Sequence, residues 1–195
     1  MSKSKKMSLM VLLLIPVGIA INIIGGQLIA LLKLPVYLDA IGTFLVAILA
    51  GPIPGVITGF LSNSINAIFA PEFFPYTIVS VVLGLVTGLL SKKGMFKTLG
   101  KTLISGLILA LLATITASPV TAYVFGGVTG SGSTLLIAAL QAGGQELLKA
   151  TIITSLIVDT VDKEISVFIC YLIIKNMSPR YLSKFTLGKQ FIDEM

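Results

Sequence analysis

Residues 34–66 read LPVYLDAIGTFLVAILAGPIPGVITGFLSNSIN, and they decide what kind of chain this is. One carboxylate, Asp39, stands at the start of an apolar run. The run is broken at Gly51-Pro52-Ile53-Pro54-Gly55, because proline lacks an N–H and restricts the residue before it. The chain then returns to apolar sequence that carries Asn63 and Asn66. An unpaired amide in hydrocarbon costs several kcal/mol, so these side chains must face protein or a polar cavity.

Composition agrees that the solvent is lipid. The 195 residues are 55% hydrophobic and only 11% charged, where a soluble domain carries about 25% charged residues. Mean hydropathy is +1.03. There is no histidine and one cysteine, Cys170, within an apolar run. This leaves neither a disulfide framework nor a histidine-based metal or acid–base site. The net charge of +6 marks cytoplasmic loops rather than nucleic acid in a membrane chain. Lys3, Lys5 and Lys6 precede an apolar run that outlasts a signal-peptide core and lacks a cleavage site, so it reads as a retained first span.

The expected fold class is an all-α integral membrane protein, one domain over residues 1–195. Six transmembrane helices are expected at about 7–32, 40–50, 55–69, 76–90, 102–123 and 165–174. Spans two and three are short for a hydrocarbon core of about 30 Å and need shielding by their neighbours. Gly55 and Gly59, and the stripe Ser80, Gly84 and Gly88, favour close helix packing. Pro119 should kink or stop span five.

Residues 134–158 are ambiguous. They are long enough to span but contain Gln141, Gln145, Glu146 and Lys149, and Asp159, Asp162, Lys163 and Glu164 follow. The N-terminal lysines, the loop of Lys92, Lys93, Lys97 and Lys101, and the C-terminal tail hold most of the basic residues, so all three belong in the cytoplasm. An even number of crossings must then separate the Lys92–Lys101 loop from the tail. The 134–158 segment is therefore expected as an additional outer-side or re-entrant helix.

This topology gathers polar residues in the outer half: Asn22 and Gln27 of span one, Tyr37 and Asp39 of the first loop, Asn63 and Asn66, Tyr76, and Tyr123. Gln141, Gln145, Glu146 and Lys149 fall on one arc of the 134–158 helix and would roof the cavity, with Glu146 and Lys149 able to pair. Asp39 either touches ligand or caps span two. Asn63→Ala and Gln141→Ala are each expected to weaken ligand binding by about 1–3 kcal/mol. No nucleophile–base pair, P-loop or Rossmann motif is present, so the chain is not expected to be an enzyme, and any energy for transport must come from a partner.

The pattern Pro35-x-Tyr37-x-Asp39-x-Ile41-Gly42, then Gly51-Pro52-x-x-Gly55-x-x-x-Gly59-x-x-x-Asn63, resembles the substrate-binding S-components of energy-coupling factor (ECF) vitamin transporters. Chain length, the basic loop before span five and the Asp-Lys pair before a short last span are also similar. The resemblance implies capture of a vitamin or related micronutrient on the outer side of the cell membrane. It also implies docking on a T-component that carries two ATPase subunits, with both termini cytoplasmic. The chain itself would hold no cofactor, since the partners hydrolyse ATP, and would bind no nucleic acid. The A-x-x-x-A stripe through which family members dock is replaced here by Gly18, Ala20 and Asn22, so Gly18 and Ala20 are the expected docking positions. The absence of tryptophan disfavours thiamine; a flavin, a nucleobase-like compound, a pyridoxine-like ring and a corrinoid remain open. A ligand-binding membrane sensor domain is the alternative.

Overall fold

A computed structural model describes residues 7–129 and 131–194. The N-terminal lysines used in the charge argument lie outside these residues. Eight α-helices and no strand occur among the described residues: α1 (Leu9–Leu32), α2 (Ile41–Ala50), α3 (Pro52–Phe69), α4 (Thr77–Lys92), α5 (Leu99–Pro119), α6 (Ser133–Ala142), α7 (Leu147–Lys175) and α8 (Pro179–Leu182). Two of them, α1 and α5 with the turn that follows it, are long and apolar enough to cross a membrane.

The bundle is built around α2. All ten of its residues are buried, and α1, α3, α4 and α7 pack on it. Phe44, Val46, Ile48 and Leu49 are completely buried. The short, largely apolar segment is therefore shielded on all sides by its neighbours. Close approach depends on glycine. A Cβ on Gly42 would lie 1.9 Å from the carbonyl oxygen of Gly18, and one on Gly18 would lie 2.6 Å from Val46 Cγ2. On the other side, a Cβ on Gly84 would meet the Gly55 backbone at 2.6 Å, and one on Gly59 would meet the Ser80 carbonyl oxygen at 2.6 Å. The small-residue stripes on α3 and α4 thus face each other.

Gly51 makes the turn between α2 and α3 with φ 99°, a left-handed conformation natural only to glycine. Pro52 then opens α3 at its first position, where its missing N–H costs nothing.

Residues 133–175 depart from the expected arrangement. The 134–158 helix is not continuous: α6 ends at Ala142, Gly144 turns with φ 87°, and α7 begins at Leu147. Nor is there a break at Asp159–Glu164. α7 runs for 29 residues through all four charges, about 43 Å at the usual rise. The charges do not interrupt the helix because Asp159, Asp162 and Lys163 are spaced to share one face, turned into the bundle, and all three are buried. The last long helix is therefore 147–175 rather than 165–174. α5 ends at Pro119 and continues as one π-type turn, Val120–Val124.

The tail folds back across one end of the bundle. Leu182, Phe185 and Phe191 are buried in the core. The Leu187 N–H donates to the Leu49 carbonyl (2.9 Å), and Gln190 Nε2 donates to Ser91 Oγ (3.2 Å). The Gly51 turn, the Lys92–Lys101 loop and the tail share this end. The 33–40 loop, the 70–76 loop and the Gly-rich connector that leads into α6 (described residues 125–129 and 131–132) share the other.

The Gly18–Gly42 contact makes a direct test. Gly42→Ala should lower stability by about 1–3 kcal/mol, the usual cost of overpacking. Gly100→Ala in α5, where a Cβ meets nothing within 4 Å, should be neutral or stabilising by up to about 1 kcal/mol. Thermal unfolding of the two variants in the same detergent checks the contrast.

Candidate functional site

A cavity of about 160 Å³ lies at the end opposite the tail. α1, α3, α4, α5 and α7 wall it, and the 33–40 loop and the connector close over it. Its floor and sides are largely apolar, with Ile29, Val79, Leu83 and Ala113 among the lining residues. Its polar groups cluster: Tyr37 and Asp39 from the first loop, Asn63 from α3, Tyr76 at the start of α4, and Asp159 and Lys163 from α7. Glu72 stands exposed at the rim.

α7 fastens this end together through Asp162. Its Oδ1 accepts the backbone N–H groups of Tyr37 (3.0 Å) and Leu38 (2.7 Å), and its Oδ2 pairs with the ammonium of Lys163. Leu38 is one of two non-glycine residues with positive φ (47°) among those described, so the carboxylate holds a turn that its own sequence disfavours. Lys163 lies 5.8 Å from the centre of the Tyr37 ring, within cation–π range.

Asp159 is 3% exposed. Its Oδ2 accepts from Thr114 Oγ1 at 2.9 Å, and its other oxygen has no hydrogen-bond partner among the described residues. Asp39 lines the cavity and does not cap α2. The residue at that helix boundary is Ala40, without a side-chain cap. Burial pushes the Asp39 carboxyl above the ordinary carboxylate range, while the Lys163 charge pulls it back. Asn63 is 2% exposed, and its amide forms no hydrogen bond among the described residues. Asp39, Asn63 and one oxygen of Asp159 therefore face the cavity with no side-chain hydrogen bond among the described residues.

The roof is the connector rather than α6. Thr129 and Ser131 line the cavity. Thr129 Oγ1 lies 2.7 Å from Ser133 Oγ, which in turn lies 3.2 Å from the Tyr37 hydroxyl. A Cβ on Gly132 would sit 2.6 Å from the Lys33 carbonyl oxygen, so glycine lets the connector close down on the first loop. Tyr76 stacks on Phe125 (5.5 Å, 13°), and its hydroxyl meets Thr121 Oγ1 at 2.8 Å. The π-type turn thus places a hydroxyl on the cavity wall.

Of the residues singled out from sequence, Tyr37, Asp39, Asn63 and Tyr76 meet in the cavity. The others lie elsewhere. Asn22 is a structural brace between α1, α2 and α3. Its Nδ2 donates to Thr43 Oγ1 (2.8 Å) and Ser62 Oγ (2.9 Å), and its Oδ1 accepts from the Gly42 N–H (2.7 Å). Asn66 is buried outside the cavity lining. Gln27, Tyr123, Gln141, Glu146 and Lys149 are exposed and Gln145 is half-exposed, because the break at Ala142–Glu146 removes the single helical face on which the last four were aligned. Gly18 turns inward against Gly42 and is not available for docking; Ala20 is exposed.

Asp159, Asp162 and Lys163 were missed as site residues because a run of charges reads as a loop. Their i, i+3, i+4 spacing, in register with Ser155 four residues earlier, was the available signal. Among the described residues, no group of three or more Asp, Glu, Cys or His side chains is placed to hold a metal ion.

Comparison with known proteins returned no matching family model, no curated protein and no solved structure.

Two outcomes follow from the geometry. Asn63→Ala should weaken binding of the ligand by about 1–3 kcal/mol, whereas Gln141→Ala should leave it unchanged, as titrations of the two variants would show. Asp162→Ala should free the first loop, read as faster amide hydrogen exchange at Tyr37 and Leu38 with little change in α2.

Proposed function

We propose that this chain is the substrate-binding S-component of an ECF-type transporter. In this reading α1–α5 and α7 are the six spans of a membrane-embedded bundle, and the cavity is its capture site on the outer face. The observation that carries the reading is the cavity itself: polar groups gathered at one end of an apolar bundle, with the opposite end plugged. A channel would need polar lining from face to face, and below the cavity the axis is filled by α2.

Three further features support it. Large apolar side chains are exposed along α1, α3, α4, α5 and α7, including Leu13, Phe60, Leu85, Leu111 and Phe168, as a lipid-facing surface requires. The basic residues Lys92, Lys93, Lys97, Lys101, Arg180 and Lys184 sit at the plugged end, where the positive-inside tendency puts the cytoplasm. The motif residues Pro35 to Asn63 supply the rim, the base and one wall of the bundle that holds the cavity.

Docking then falls to the outward stripe of α1. Val17, Ala20, Ile24 and Leu28 are exposed and spaced to lie on neighbouring turns, with Ala20 the small residue that admits a partner helix. The partners are a T-component and two ATPase subunits, which supply the energy.

Co-expression of the tagged chain with the T-component and ATPases of its own cell tests the reading. The complex should copurify and support ATP-dependent uptake in proteoliposomes. Ala20→Leu should abolish copurification while leaving the thermal stability of the isolated chain unchanged. A chain that purifies alone and supports no uptake would instead act as a sensor or receptor.

A further inference from the structure

The charge at the cavity does not balance. Asp39, Asp159 and Asp162 all lie close enough to Lys163 to act on its ammonium, and among the described residues no other cationic side chain lines the cavity. Asp162 claims Lys163 directly and spends its remaining oxygen on two backbone N–H groups. Asp39 and Asp159 are left facing the cavity with only a share of the same ammonium, and exposed Glu72 adds a further negative charge at the rim.

Uncompensated carboxylates in a poorly solvated space are expensive. Asp159 is nearly fully buried and keeps one oxygen unpaired. The partner that would offset this charge is positive. It also has to be organic, because most of the wall is hydrocarbon, with Ile29, Val79, Leu83 and Ala113 offering nothing to a hydrated metal ion. Size sets a further limit. A cavity of about 150 Å³ elsewhere is known to hold benzene, and this one measures about 160 Å³. The enclosed part of the cavity therefore holds about one ring. Aromatic surface is present in Tyr37, already approached by one ammonium, and in Tyr76, held flat by its stack on Phe125. Both suit a cation.

We infer that the cavity takes a compact organic cation, about one ring in size, with its charged nitrogen between Asp39 and Asp159 and Asn63 hydrogen-bonding the ring. The inference rests on the cavity being the capture site and narrows its substrate class. The amides Gln141 and Gln145 lie outside the cavity.

A charge series on the unaltered, detergent-solubilised chain tests it. Benzylamine, benzyl alcohol and benzoate are one-ring compounds of similar size that carry a positive, zero and negative charge at neutral pH. Thermal-shift titration should give benzylamine an affinity at least about tenfold tighter than either of the others, about 1.4 kcal/mol. Asp159→Asn and Asp39→Asn should each lose about tenfold for benzylamine, the range of a charge-assisted hydrogen bond, and little for benzyl alcohol. Equal affinities across the series, a preference for benzoate, or no benzylamine binding below about 10 mM would overturn the inference. The series needs no variant, so a misfolded mutant cannot obscure it. Charge selectivity without copurification would remove the transporter reading alone, and copurification without charge selectivity would remove the cation alone.

Discussion

Everything in this bundle depends on how closely α2 can be wrapped. Ten residues with no exposed face, Thr43 the one polar side chain among them, must be touched on every side, and a helix can be approached that closely only where its neighbours lack side chains. The Gly18–Gly42 contact does this for α1, and Gly55 against Ala47 and Gly84 does it for α3 and α4. Asn22 then locks the arrangement by bonding to both α2 and α3. With α2 buried and short, its outer end stops below the rim. The loop that leads into it has to descend into the bundle, carrying Tyr37 and Asp39 with it.

Asp162 holds that descent in place. It accepts two consecutive N–H groups of the loop and pairs with Lys163, so one side chain supports both the backbone turn and the electrostatics of the cavity. Its neighbours on α7 have different roles despite similar chemistry. Asp159 is satisfied on one oxygen only, and Lys163 is shared between an ion pair and an aromatic ring. The distinction is positional: one helical turn separates a residue under the loop from a residue beside the cavity.

Much of this was legible from the sequence. The Gly51–Gly55 turn reverses the chain, so Asn63 had to return to the level of Asp39. That argument needed only proline chemistry and helix length. The small-residue stripes of α3 and α4 were equally plain. Asn22 was not. An amide in an apolar helix can serve a ligand or a neighbouring helix, and only the positions of Thr43, Ser62 and Gly42 decide between them. The acidic face of α7 was hidden by local charge density, which reads as a solvated loop unless the helical spacing is given more weight. The 134–158 segment misled in the opposite direction, since Gly143-Gly144 is tolerated within a helix pattern but here ends one. The tail looked merely basic, although Leu182, Phe185 and Phe191 were its apolar anchors.

The tail has a consequence for traffic. Its hydrogen bonds to Leu49 and Ser91 stitch this end of the bundle shut directly beneath the filled axis of α2. A solute in the cavity has no straight road through the molecule. The described bundle is a cup and not a pipe. A solute that enters the cavity leaves by the same mouth for as long as that stitched base stays closed.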